Sequence, residues 1–230
     1  MSTIAVPDVE SLALYTLSDA ARILDVPTAT FANWAKGYDF KTLAGRRHAP
    51  ALVTTAARGR GRTVPFIGLA EAYVLAAFRS AGVPMQRIRP AVERLTREID
   101  LDVALASERL VTDGAEVLYD FGQSGDEGAD AVAGLVVVRN QQRVFNDVVS
   151  DYLQTITFDG GLVARFGLPK YGSAGVSVDP QINSGQPTIT RRGVRVADVL
   201  SRVKAGESIS DVAFDYDLSS ETVRAVIAAA

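Results

Sequence analysis

The sequence predicts a mainly α fold with a minor β component: an amino-terminal winged helix-turn-helix, a small central β-hairpin/helix segment and a carboxy-terminal three-helix domain. Three observations predict it. Apolar residues recur at helical spacing behind capping residues at both ends of the chain. A basic, glycine-bearing stretch without helical period interrupts the first set, and the middle carries one run that alternates apolar with polar residues and a second candidate strand pair. The expected divisions are 1–98, 99–175 and 176–230.

At 230 residues, 47% of them hydrophobic, the chain is long enough to bury a real core in one large domain or several small ones. Its opening, MSTIAVPDVE, has neither the basic start nor the apolar run of a secretory signal, and no long uncharged apolar run follows. A cytoplasmic protein with no membrane partner is expected. With no cysteine and one histidine, His48, disulfides, thiolate catalysis, cysteine zinc sites and paired imidazoles are excluded. No nucleophile–base pair, metal cluster or cofactor loop is visible, so no catalytic residue, cofactor or metal is assigned, and an enzyme is not expected.

In YTLSDAARILDVPTATFANWAKG, Leu17, Ala20, Ala21 and Leu24 fall on one helical face, with Thr16 and Asp19 as a capping box. Asp25-Val26-Pro27 breaks that helix. Thr28 is placed to cap a second one with Phe31, Trp34 and Ala35 inward, closed by Gly37. A helix-turn-helix can lay its second helix in a major groove. The outward candidates for DNA contact are Thr28, Thr30, Asn33 and Lys36: an asparagine pairs with adenine in two directions, and threonine reaches phosphate or a thymine methyl. A plain helical hairpin is the competing reading.

From Lys41 to Arg62 the chain carries Lys41, Arg46, Arg47, Arg58, Arg60 and Arg62 with no Asp or Glu. Such a field suits a hairpin wing resting on phosphates. Ala70, Tyr73, Val74 and Ala77 mark a buried helix, and Gly82–Pro84 a turn. Met85, Ile88, Val92, Leu95 and Ile99 mark another helix, which Pro90 would interrupt or start. Over about residues 15–98 this order, with the motifs YTLSDAARILDVP and RSAGVPMQRIR, resembles the winged helix-turn-helix domain of MerR-type regulators. The resemblance implies groove docking and wing-to-phosphate contact. It implies no base code, because Ala32 and Asn33 stand where that family usually has an arginine and an aromatic.

In the middle, RLVTDGAEVLYDFG alternates around Asp113-Gly114, a preferred two-residue hairpin turn. AVAGLVVVRNQQRVF offers a second strand pair around Asn140. Between them lies an acidic glycine-rich loop whose Asp126, Glu127 and Asp130 could hold a divalent cation or be solvated. VFNDVVSDYLQTITF puts Val144, Val148, Asp151 and Tyr152 on one helical face. A unit of this kind fits dimerisation or partner docking.

At the carboxy end, Val196, Val199, Leu200 and Val203 mark a helix closed by Gly206. Ser208 with Asp211 caps the next, and Ser219 caps a third with Val223, Val226 and Ile227 inward. Ahead of them, GQPTITRRGVR lacks the GxxxxGK[ST] spacing of a phosphate loop and reads as an extended entry and turn. From Val176 to Ala230, Asp179, Pro180, Gly185, Pro187, Gly193, Gly206, Asp215 and Leu218 match a small prokaryotic domain family long catalogued as of unknown function. Proteins similar to this act as antitoxins beside PIN-like ribonuclease toxins. A winged helix in front of such a domain resembles a VapB-type antitoxin of actinobacterial kind.

The resemblance implies an antitoxin that inhibits a PIN-like ribonuclease and, as a homodimer on paired half-sites, represses its own operon by binding operator DNA. Such nucleases gather carboxylates around a metal, so Arg191, Arg192 and Arg195 become candidate toxin contacts; a solvated turn is the other reading. The acids Asp211, Asp215 and Asp217 assign the last helices to protein rather than DNA. The alternative is a stand-alone MerR-like transcriptional regulator answering to a small ligand.

Overall fold

Thirteen consecutive residues of one helix, Phe66 to Phe78, are buried on every side. A helix apolar all round can only be a core element, and the amino-terminal elements pack about it. The computed structural model of the protein describes residues 12–42, 45–56, 61–125, 129–139 and 142–230. It divides into two compact units, Met1–Gln154 with Phe158–Val163 and Thr155–Thr157 with Ala164–Ala230. Helix makes up about 54% of the described residues and the sheets are small, as a mainly α fold requires.

The first unit runs β1 (Ala13–Tyr15), α1 (Leu17–Ile23), α2 (Thr28–Lys36), β2 (Tyr38–Thr42), β3 (Gly45–Ala49), β4 (Val64–Pro65), α3 (Phe66–Ser80) and α4 (Met85–Ile99). β1 and β4 pair antiparallel, Tyr15 opposite Val64, and bring α1 to the start of α3. α4 buries Ile88, Val92, Leu95 and Ile99 as its spacing predicts, while Met85 stays half-exposed. Pro90 neither breaks nor starts it: the helix runs through from Met85. It stops at Asp100, whose φ of 57° is left-handed.

Next come α5 (Glu108–Gln123), α6 (Ala129–Val132), β5 (Val136–Arg139), β6 (Gln142–Phe145) and α7 (Asp147–Leu153). The hairpin expected at Asp113-Gly114 is overturned, for both residues lie inside α5. Ser107 caps that helix through the Arg109 amide, Arg109 pairs with Asp113 at 3.1 Å one turn on, and Leu110, Gly114, Leu118 and Phe121 face inward. Gly114 is there for space rather than for a turn. A Cβ on it would lie 2.9 Å from Leu110 Cδ1 and 3.3 Å from Phe145 Cζ, so the glycine admits the Phe145 ring against the helix.

The strand pair around Asn140 is present as β5 and β6, with Val136 opposite Phe145; Asn140 itself lies outside the described residues. Val144 therefore belongs to β6, and the helix expected to contain it starts at Asp147, capped by Asn146. Asp126 and Glu127 also lie outside the described residues, as does the Asp130 side chain.

β7 (Ile156–Asp159) and β8 (Leu162–Gly167) form a hairpin at the start of a five-stranded sheet. β9 (Val176–Val178), β10 (Thr188–Ile189) and β11 (Val194–Arg195) complete it in the order β11-β10-β9-β8-β7. α8 (Val196–Lys204), α9 (Ile209–Asp215) and α10 (Ser220–Ala228) follow. Their buried residues are Val196 and Val199, Val212 and Ala213, and Val223 and Val226. Ser208 caps α9 through the Asp211 amide and Ser219 caps α10 through the Thr222 amide. The carboxy-terminal part is therefore more than three helices, because a sheet of short strands accompanies them.

Candidate nucleic-acid interface

α1 opens on a reciprocal capping box: Thr16 Oγ1 accepts from the Asp19 amide at 3.0 Å, and the Thr16 amide donates to Asp19 at 3.3 Å. The chain leaves α1 through Asp25, in the left-handed region at φ 54°, and the Val26 amide closes back on the Ala21 carbonyl at 2.9 Å. The expected cap of α2 by Thr28 is overturned. Pro27, with its fixed φ, takes the N-cap position, and Thr28 is the first helical residue. Phe31 and Trp34 are buried on the inner face with ring centroids 6.3 Å apart. Thr28, Asn33 and Lys36 are exposed on the outer face, and Thr30 is half-buried.

Gly37 turns the chain from α2 into β2. Its φ of 70° is open to glycine, and a Cβ would meet the Ala49 carbonyl oxygen at 2.3 Å. β2 and β3 then pair Asp39 with His48, Phe40 with Arg47 and Lys41 with Arg46. Directly opposed residues share a face, so Asp39, Lys41, Arg46 and His48 lie on one side and Tyr38, Phe40 and Arg47 on the other. Sequence reasoning missed Asp39, two positions before the acid-free window. Its carboxylate takes His48 Nδ1 at 2.8 Å and Arg46 at 3.2 Å. The His48 contact, then Arg46, holds the Asp39 carboxyl below the usual carboxylate range. Lys41, Arg46, Arg47 and Arg62 are all exposed. Arg46 is the one of these four that Asp39 partly neutralises. Arg58 and Arg60 lie outside the described residues.

The segment Pro50–Thr54 ties this hairpin to the helices. The Leu52 and Val53 amides donate to the Trp34 carbonyl at 2.7 and 3.2 Å, satisfying the end of α2. Arg89 Nη1 of α4 donates to the Pro50 carbonyl. The Thr54 amide donates to Glu71 Oε2 of α3 at 2.6 Å. Glu71 is only 3% exposed, and burial pushes its carboxyl up to about 7 against the pull of that amide. Hairpin, α2, α3 and α4 are thus joined through five residues of backbone.

The three arginines of the carboxy-terminal turn do not form one free cluster. Thr190 to Gly193 make the β10–β11 turn, with the Gly193 amide on the Ile189 carbonyl at 2.9 Å. Asn183 braces that turn through the Gly193 carbonyl at 2.9 Å. Arg192 is paired with Asp217 and donates to its carbonyl at 3.0 Å, pinning the α9–α10 turn. Arg195 holds Asp198 with two bonds of 2.8 and 2.9 Å. Arg191 is exposed and has no such ion pair among the described residues. It lines a depression of about 370 Å³ with Asp217, Ser219 and Thr222.

Among the described residues no helix is long and apolar enough to cross a membrane, and no three His, Asp or Glu gather as metal ligands would. Residues 13–92 match a family model described as "Putative DNA-binding HTH domain", and residues 176–229 match "Protein of unknown function (DUF433)". The Mycobacterium tuberculosis protein named "Putative antitoxin VapB45" is 46% identical over 222 residues, spanning 92% of this chain and 91% of its own. "Uncharacterized protein Rv2308" of the same organism is 27% identical over 221 residues, spanning 93% of this chain and 88% of its own. The crystal structure of Rv2018 from that organism superposes with a TM-score of 0.81 at 42% identity, over 94% of this chain and 98% of that one. With an amino-terminal helix-turn-helix DNA-binding domain and a carboxy-terminal DUF433 domain, this chain belongs to the VapB45-like antitoxin family.

Proposed function

We propose that this chain is the antitoxin of a type II toxin–antitoxin pair, which inhibits a PIN-like ribonuclease and represses its own operon as a cytoplasmic homodimer bound to operator DNA. The observation that carries the reading is the exposed ridge of α2 set beside an exposed basic hairpin, both anchored through Pro50–Thr54. Residues 1–98 act as a MerR-like DNA-binding domain. Thr28, Thr30, Asn33 and Lys36 face the major groove, and Lys41, Arg46, Arg47, Arg58, Arg60 and Arg62 rest on phosphates. Residues 99–175 serve dimerisation, and 176–230 form the toxin-binding domain. Of Arg191, Arg192 and Arg195, Arg191 is the foremost toxin contact, because the other two already hold carboxylates of this chain. No catalytic role is assigned.

The test is co-expression with the product of the adjacent reading frame, together with titration of a fluorescent duplex carrying the chain's own promoter. Co-purification, relief of growth arrest and salt-sensitive duplex binding are expected. Failure to form a complex removes the antitoxin half of the reading, and failure to bind the duplex removes the repressor half. Each of Lys41→Ala and Arg47→Ala should lower the slope of log affinity against log salt by about one phosphate's worth.

A further inference from the structure

We infer that the groove between α2 and the α3–α4 corner is a phosphate seat, filled by a backbone phosphodiester of the duplex that α2 reads. This rests on the DNA-binding reading and adds to it a site whose charge comes from Arg79 and Arg89, outside the recognition helix and the wing. The groove has a volume of about 470 Å³. Thr30 and Asn33 line it from α2, Tyr38 from β2, Arg79 from α3, and Met85 and Arg89 from α4. None of the described residues that line it is acidic.

Three sources of positive potential meet there. Arg79 is exposed, has no ion pair among the described residues, and reaches Thr30 Oγ1 only at the 3.5 Å limit of a hydrogen bond. Arg89 is 8% exposed, lies 5.1 Å from the centre of the Tyr38 ring, and gives Nη1 to the Pro50 carbonyl. Its Nε is buried with no partner. A buried guanidinium with no carboxylate is costly, and an anion in the groove offsets that cost. The third source is the start of α4, a 15-residue helix whose N-cap, Pro84, makes no side-chain bond to the first-turn amides. A helix start and two guanidinium groups suit an anion with several acceptor oxygens. Asn33 and Thr30 share the groove with the outer face of α2, so a phosphate held here sets the depth and register of that helix on DNA.

The full chain and its Arg79→Gln variant would be titrated with the promoter duplex and with an unrelated duplex over a salt series. Arg79 is exposed, so the variant should fold, which its far-UV circular dichroism would verify. Binding should weaken about tenfold on both duplexes, and the salt slope should fall by about 0.9, one phosphate contact. Arg89→Lys, which keeps the charge but loses the planar fork, is the second variant and should weaken binding in the same way.

Inorganic phosphate, followed through the arginine Nε–Hε resonances, forms the other arm. If the wild type binds DNA and Arg79→Gln keeps its affinity and slope, the seat is overturned while the DNA reading stands. If the wild type binds no duplex, the DNA reading falls and with it the phosphodiester as occupant. Resonance shifts by inorganic phosphate that Arg79→Gln abolishes would then support a free-anion seat, and their absence would overturn the seat altogether.

Discussion

Replacing Glu71 with glutamine should change how the stability of this protein depends on pH, with a sign that burial dictates. Glu71 sits in α3 at 3% exposure and accepts the Thr54 amide. Its carboxyl is pushed from an ordinary 4.5 up to about 7 in the folded chain. The folded state therefore holds the proton more tightly than the unfolded state does. The stabilisation is full below pH 4.5, declines as pH rises, and is lost above about pH 7. One pKa unit corresponds to about 1.4 kcal/mol, so the whole decline is about 3 kcal/mol. Glutamine keeps the acceptor for Thr54 and nearly the same shape without ionising. Urea unfolding of wild type and Glu71→Gln, followed by circular dichroism across that pH range, isolates the effect in the difference between the two curves. The variants should be nearly equal at the acid end, with Glu71→Gln ahead by up to about 3 kcal/mol at the alkaline end. A difference that stays constant with pH would refute the burial argument.

Gly68→Ala should cost about 1–3 kcal/mol in the same unfolding assay, because its Cβ would stand 2.1 Å from the Thr54 carbonyl oxygen, a backbone atom that cannot rotate away. Asp39→Asn, by releasing Arg46 and His48 on the hairpin, should tighten duplex binding and steepen its salt dependence in anisotropy titrations. Phe214 is 86% exposed, so Phe214→Ser should move stability by no more than about 0.5 kcal/mol; if α9 faces the toxin, it should nonetheless reduce co-purification. Arg191→Glu should leave the melting temperature unchanged and abolish toxin capture in the same pull-down.

Much of the helical framework was legible because its determinants are local. The Thr16–Asp19 box, the Ser208 and Ser219 caps and the buried face of α3 each depend on residues within a few positions. What failed was decided at a distance. Asp113-Gly114 carries a strong turn signal, yet Phe145, thirty-one positions from Gly114, packs where a side chain would be and makes the glycine helical. β10 and β11 have two residues each, too few for any alternation to register, and exist because β10 pairs with β9 on one side and with β11 on the other. Within the candidate interface, the outward residues of α2 followed from period alone. Asp39 required the hairpin register, and nothing local marks Arg89 among the polar residues of α4; the fold places it against Tyr38 and Pro50.

Trp34 is the only tryptophan in the chain, is 1% exposed, and lines the groove from beneath the helix face that carries Asn33. The molecule thus contains its own optical reporter. Indole emission shifts with local field and hydration, so duplex docking, anion entry and unfolding of the amino-terminal unit can all be followed without a dye, by exciting one native side chain.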